Sequence, residues 1–121
     1  MKHHVVFISG WAHGPQVFDP VIRLLDPGTV TTASAADPDC VADRCAASPA
    51  ASRILVGWSL GAMLALREAA QRPKHIAGLL LMGATARFCS DDATHPFGTP
   101  VAQLRAMQAG LRRRPAETLA A

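Results

Sequence analysis

Short apolar runs alternate along the chain with segments in which apolar residues recur at helical spacing. Four runs rich in β-branched and aliphatic side chains predict buried strands. These runs are His4–Ile8, 29–33, 53–57 and Ile76–Met82. Near-continuous apolar strands are typical of a parallel sheet that helices cover on both faces. The pattern therefore predicts an α/β fold, with a three-layer, doubly wound sheet of about four parallel strands.

The segments between these strands carry helix signals. Helical spacing joins Val17, Val21, Leu24 and Leu25, with a stop at Pro27-Gly28. A short helix is expected from Asp37-Pro38, and a longer one over Leu60–Gln71. After Met82 the pattern is irregular, until Thr99-Pro100 begins a helix that Pro115 ends or kinks. We divide the chain into a core at 1–82 and a separate region at 83–121.

Composition restricts the class of protein. The chain has 121 residues, of which 50% are hydrophobic and 17% charged, as in a small globular domain and unlike a disordered one. Its apolar stretches at 54–66 and 76–86 are shorter than the ~20 residues that cross a bilayer. The N-terminus has no apolar region long enough for a secretory signal. We expect a cytoplasmic protein with no membrane partner and with reduced cysteines.

Positive charge is concentrated in the second half of the chain. The net charge is +3, and residues 61–121 carry eight cations against four acids. Much of this charge comes from Arg105, Arg112, Arg113 and Arg114. A run this short is typical of a solvated helix face, and the alternative is contact with an acidic partner. We expect no nucleic-acid partner.

Candidate chemistry lies between the third predicted strand and the following helix. Residues 57–61 read Gly-Trp-Ser-Leu-Gly, and a G-x-S-x-G sequence in this context predicts a nucleophile elbow. Ser59 is then the nucleophile, and the two glycines let strand and helix approach closely around a strained turn. In the alternative interpretation, Ser59 only caps the helix.

A second loop supports the same site. Residues 9–14 follow the first predicted strand, where such folds place a backbone donor that completes an oxyanion hole. We expect the N–H groups of Trp11 and Leu60 to be the two donors. The first and third strands are predicted neighbours across a topological switch point, which brings both loops to one crevice.

Residues 7–14, 54–63 and 76–88 resemble the corresponding parts of α/β-hydrolase esterases, and most of all the pimeloyl-acyl-carrier-protein methyl ester carboxylesterases of biotin synthesis. The hallmark Gly-Trp-Ser-Leu-Gly of that family is present at 57–61. Its His-Gly-Trp-Gly sequence appears as Ser-Gly-Trp-Ala at 9–12. The resemblance matches the N-terminal half of a family member.

The resemblance implies a serine carboxylesterase that forms an acyl-enzyme on Ser59, without a cofactor or metal. It implies a small acyl ester substrate that an acidic acyl carrier protein presents, and a helical lid that starts within 83–121. The acyl pocket would be lined by Trp58, Phe88 and Leu111, for which core packing is the alternative. The carrier protein would contact Arg105, Arg112, Arg113 and Arg114.

The same family completes its triad with an acid and a histidine on later strands, which these 121 residues do not include. His3, His4 and His75 flank the amino ends of their strands, too far from Ser59. His13 and His95, the latter after Asp91-Asp92, lie in loops at the correct end and are candidate bases. We therefore expect either an esterase whose sheet a second chain completes, or a truncated, non-catalytic α/β-hydrolase remnant.

Overall fold

The computed structural model describes residues 3–25, 30–46, 52–91 and 93–120. Its strands are β1 (His4–Ile8), β2 (Val30–Ala33), β3 (Arg53–Trp58) and β4 (Ile76–Met82). Its helices are α1 (Asp19–Ile22), α2 (Pro38–Ala46), α3 (Leu60–Gln71), α4 (Val101–Arg113) and α5 (Pro115–Ala120), with short 3-10 turns at Pro15–Phe18 and Pro73–His75. Thr29 and the predicted stop at Pro27-Gly28 lie outside the described residues.

The four strands form one parallel sheet in the order β2-β1-β3-β4. Strand β1 pairs with β2 through Val5 and Val30, and with β3 through Val5 and Ile54. Strand β2 lies on one side of β1, and the chain then crosses the sheet to place β3 on the other side of β1. The predicted switch point between the first and third strands is thus present.

Helices cover both faces of the sheet. On one face, buried Val6, Ile8 and Leu55 pack with Val41 of α2 and Leu64 of α3. On the other face, the rings of Phe7 and Phe18 lie 5.0 Å apart beside Val56, and Ile22 packs against them. The predicted three-layer, doubly wound α/β fold is confirmed.

The first helix differs from its prediction. The structure shows a 3-10 turn followed by only four α-helical residues, and the four predicted apolar positions (Val17, Val21, Leu24 and Leu25) are all exposed. Phe18 and Ile22 face the sheet instead. The tighter 3-10 turn changes the angular spacing of the side chains, so the spacing expected of one continuous helix does not identify the buried face.

A charged cluster lies at the amino end of the sheet. Glu68 is 1% exposed and forms an ion pair with Arg72, the residue that follows the last turn of α3. Burial, and then the nearby Glu68 carboxylate, raises the pKa of Cys45 to about 11. The Cys45 thiol is therefore protonated at neutral pH and is not a nucleophile.

The chain divides into two compact units, residues 1–86 and 87–121. The second unit starts with a loop that contains two isolated β-bridges, a parallel one between Cys89 and Thr99 and an antiparallel one between Asp91 and His95. It continues through α4 and α5. Helix α4 ends at Arg113, just before Pro115, as predicted. Across the described ranges, no helix is long and apolar enough to span a membrane.

Helix α3 packs unusually close to the strands because two positions have no side chain. A Cβ added to Gly57 would lie 2.5 Å from the Ala62 Cα, and one added to Gly61 would lie 2.5 Å from the Ser9 backbone oxygen. Both contacts are far inside van der Waals distance, and both involve backbone that cannot rotate away. Glycine is required at both positions for the helix to start where it does.

This packing generates a test with an internal control. Replacing Gly61 with alanine should lower the free energy of unfolding by about 2–3 kcal/mol, since the methyl group overlaps backbone atoms. Gly78→Ala in β4 is the control, because its added Cβ would meet only the Ile54 Cγ1 at 3.8 Å. It should change stability by less than about 0.5 kcal/mol. Urea unfolding measures both, and equal effects would contradict the packing described.

Candidate active site

Ser59 occupies a sharp turn between β3 and α3. Its φ of 54° and ψ of −118° lie in a region that residues with a side chain rarely adopt. The Ser59 N–H donates to the Met82 carbonyl at 2.8 Å, and its own carbonyl accepts the N–H of Ala62 at 3.0 Å. These bonds hold the strained turn from both sides.

The Ser59 side chain faces solvent, and its hydroxyl makes no hydrogen bond that caps α3. The geometry therefore does not support the interpretation in which Ser59 only caps the helix. The residue is held in a strained conformation while its hydroxyl is left accessible at the end of a strand. Such an arrangement is typical of a nucleophile elbow.

The loop after β1 is fixed by its own hydrogen bonds. The hydroxyl of fully buried Ser9 donates to the His13 carbonyl at 2.7 Å, and the His13 N–H donates to the Gly10 carbonyl at 3.3 Å. A ring nitrogen of His13 lies 2.9 Å from the Trp11 carbonyl. Ala12 has a φ of 58°, which turns the chain sharply. The loop that carries Trp11 is thus closed on itself.

The two loops touch at Gly10. A Cβ added there would lie 3.3 Å from the Ser59 Cβ and 3.2 Å from the Trp58 carbonyl oxygen. The backbone before Trp11 therefore runs directly beside the serine. The N–H groups of Trp11 and Leu60 donate to no protein acceptor within the described part of the chain.

The contacts of the His13 side chain are with Trp58 and Trp11, and no hydrogen bond joins it to Ser59. Its ring lies edge-on to the Trp58 ring at 4.7 Å, and its Nδ1 is engaged with Trp11. Among the described residues of the first unit, no hydrogen bond joins Ser59 to a histidine. His4 and His75 lie at the amino ends of β1 and β4, as the sequence predicts.

The acid and histidine of the second unit are not arranged as a catalytic pair. The Asp91 carboxylate accepts hydrogen bonds from the Ala93 N–H, the Thr94 hydroxyl and Arg87, and these bonds lower its pKa. The hydrogen bonds between Asp91 and His95 join backbone groups only. Asp92 lies outside the described residues. Asp91 is therefore engaged in holding its own loop.

The remaining predicted residues fall in both units. Trp58 is half-buried and packs near Phe7 and Phe18, whereas Phe88 is 44% exposed and Leu111 is half-buried in the second unit. The acyl pocket assigned to Trp58, Phe88 and Leu111 stays a prediction.

The four arginines predicted to contact a carrier protein lie on the second unit. Arg105, Arg112, Arg113 and Arg114 are exposed, and Arg114 forms an ion pair with Glu117 at 3.1 Å. The described ranges contain no group of three His, Cys, Asp or Glu residues that could hold a metal ion.

Sequence reasoning missed the bonds that close the first loop. The only signal in the sequence is a serine four residues before a histidine, and a hydroxyl bond to a carbonyl four residues later has no fixed motif. It also missed the close approach at Gly10, because that contact joins segments far apart in the chain.

Comparison with known proteins identifies several relatives, although no family model matches the chain. The chain is 36% identical over 98 residues to the pimeloyl-[acyl-carrier protein] methyl ester esterase of Xanthomonas campestris, and 29% identical over 120 residues to that of Neisseria meningitidis. It is 31% identical over 118 residues to the biotin biosynthesis bifunctional protein BioHC of Cellvibrio japonicus.

These matches cover 69%, 89% and 80% of this chain. The chain in turn spans 38% of the length of each esterase and 22% of the bifunctional protein. A match to 69% or more of this chain must include its middle, and with it the strained serine turn described above. The similarities and the fold together show that the chain belongs to the α/β-hydrolase family.

Proposed function

We propose that this chain is the nucleophile-bearing part of a serine carboxylesterase, which hydrolyses an acyl ester through an acyl-enzyme on Ser59. One observation carries the proposal. Ser59 is held at a positive φ with an accessible hydroxyl, directly beside a loop whose Trp11 N–H has no acceptor within the described residues. A fold keeps such strain where the strained residue has a use.

The proposed chemistry follows from the positions of these groups. The Ser59 oxygen attacks the ester carbonyl as a base removes its proton, and the carbonyl oxygen becomes an oxyanion. The N–H groups of Trp11 and Leu60 donate to that oxyanion. Leu60 is the first residue of α3, so the positive end of the helix dipole adds to the stabilisation. The alcohol then leaves, and water hydrolyses the acyl-enzyme.

The base and its acid partner come, in this proposal, from a second polypeptide that extends the sheet beyond β4. Leu79, Leu80 and Met82 of β4 are between 39% and 55% exposed, and no strand pairs with the outer side of β4 within the described ranges. An apolar parallel strand at an open edge is a template for further pairing. Strands added there would end near Ser59, since Ser59 is hydrogen-bonded to Met82.

The substrate proposal rests on the names of the relatives. We propose an ester of the pimeloyl methyl ester type, carried on an acyl carrier protein in biotin synthesis. Residues 83–121 would be the start of a helical lid. The acyl chain would contact Trp58, Phe88 and Leu111, and the acidic carrier would contact Arg105, Arg112, Arg113 and Arg114.

The nucleophile is tested by covalent labelling with a fluorophosphonate, read by intact mass. We expect the full chain to gain one phosphonyl group in the presence of the part of the Xanthomonas campestris esterase that follows its matched region. Without that segment, labelling should be about 100-fold slower or more, because general-base catalysis contributes that much. Ser59→Ala should not be labelled in either case.

Two results would count against this proposal. Labelling of Ser59→Ala at the wild-type rate would exclude Ser59 as the reacting group. Absence of labelling with the added segment bound, and with circular dichroism of a folded chain, would favour the second candidate, a non-catalytic α/β-hydrolase remnant. That candidate is supported by the lack of any histidine bonded to Ser59 among the described residues of its unit.

Carrier recognition is tested with a triple variant of Arg105, Arg112 and Arg113 to alanine. These exposed side chains have no ion-pair partner among the described residues. We expect about tenfold weaker binding of acyl carrier protein at low salt, and a smaller difference at high salt, because exposed charge pairs are screened. Arg67→Ala on α3 is the control. Equal affinity of variant and wild type at low salt would exclude the arginines as the carrier contact.

A further inference from the structure

The loop after β1 contains a β-turn whose third residue is under backbone strain. The turn spans Gly10 to His13, and the Gly10 carbonyl accepts the His13 N–H at 3.3 Å. Ala12, the third residue of the turn, has a φ of 58°. Glycine is the usual residue at such a position, because a Cβ opposes a positive φ. Contacts outside the turn must therefore help to hold Ala12 in place.

The turn sets the direction of the Trp11 N–H. The Gly10 carbonyl and the Trp11 N–H belong to the same peptide unit, and in a trans peptide the two groups point to opposite sides. While the carbonyl is bonded to His13 inside the turn, the N–H must point out of it. When the turn opens, this peptide unit is free to rotate. The direction of the Trp11 N–H thus depends on a closed turn.

The Ser9 hydroxyl supplies the bond that the turn lacks. The backbone bond of the turn, at 3.3 Å, is longer than the range of about 2.7–3.2 Å usual for N–H···O bonds. The Ser9 hydroxyl donates to the His13 carbonyl at 2.7 Å, a normal length for a hydroxyl donor. Ser9 is fully buried, and its own N–H donates to the Ala33 carbonyl of β2 at 3.1 Å. Ser9 therefore ties the last residue of the turn to the sheet.

We propose that Ser9 is a positioning residue of the esterase, which directs the Trp11 N–H toward the oxyanion by keeping the strained turn closed. This role rests on the proposed function. Ser9 acts through His13 and does not itself contact the reacting ester. Removal of the hydroxyl lets the strain at Ala12 open the turn, and removal of the strain makes the hydroxyl dispensable. Substitutions at Ser9 and Ala12 therefore have opposite effects, which is the basis of the test.

Amide hydrogen exchange of the full chain, followed by NMR, measures whether Ser9 holds the turn. We expect the His13 N–H to exchange about tenfold faster in Ser9→Ala, while the amides of β3 keep their wild-type rates. In the double variant with Ala12→Gly, the His13 rate should return to within about threefold of the wild type, since glycine accepts the positive φ. Ser34→Ala is the control. It removes a hydroxyl that accepts the Ala36 N–H at 3.2 Å in another loop, and it should leave the His13 rate unchanged.

The effect on chemistry is measured as the rate of fluorophosphonate labelling of Ser59 with the added esterase segment. In Ser9→Ala the maximal rate should fall about tenfold, and the probe concentration at half-maximal rate should stay within about twofold, because an oxyanion donor acts on the transition state. Adding Ala12→Gly to Ser9→Ala should restore the maximal rate. Ala12→Val, at an exposed position, keeps the Ser9 hydroxyl and should also slow labelling, since a β-branched residue opposes a positive φ.

Several outcomes would overturn this role for Ser9. They are an unchanged His13 exchange rate in Ser9→Ala, labelling of that variant at the wild-type maximal rate, and a lowered rate that Ala12→Gly does not restore. If Ser9→Ala does not fold, Ala12→Val decides, and wild-type labelling of Ala12→Val rejects the proposal. A wild-type chain that is not labelled with the segment bound contradicts the proposed function and this role together. The wild-type control thus separates the two failures.

Discussion

The contact of the first turn of α3 with the ends of β1 and β3 is the constraint on which the rest of this structure depends. Gly57 and Gly61 leave no room for a side chain between strand and helix, and this contact makes the connecting turn as tight as it is. Ser59 takes a positive φ because the chain must reverse within one residue. The conformational cost, on the order of 1–3 kcal/mol, is offset by the buried core that both elements join.

The order of the strands places the Ser59 turn beside the loop that follows β1. Since β1 and β3 are neighbours, the loops that follow them end beside one another, and Gly10 lies against Ser59. The bond from buried Ser9 to the His13 carbonyl holds the first loop while the Ser59–Met82 bond holds the second. The loop that carries Trp11 and the turn that carries Ser59 therefore lie side by side within the first unit.

Much of this arrangement could be predicted from the sequence, because it follows from periodicity and from one glycine-flanked serine. The four strands and α3 are marked by apolar runs that tertiary packing reinforces. The first helix could not be predicted correctly, since nothing in the spacing of Val17 and Val21 signals that a 3-10 turn will direct Phe18 inward. The bond that closes the Ser9 loop is local but follows no fixed sequence motif. The contact at Gly10 joins segments distant in sequence, which spacing does not encode.

The central claim is that the fold holds Ser59 in a strained backbone conformation, and a comparison of two variants tests it most directly. Ser59→Gly and Ser59→Ala both remove the hydroxyl, but only alanine keeps the Cβ that opposes a positive φ. Urea unfolding should show the glycine variant to be more stable than the alanine variant by about 1 kcal/mol, despite the greater flexibility of unfolded glycine. An alanine variant as stable as the glycine variant, or more stable, would contradict the account.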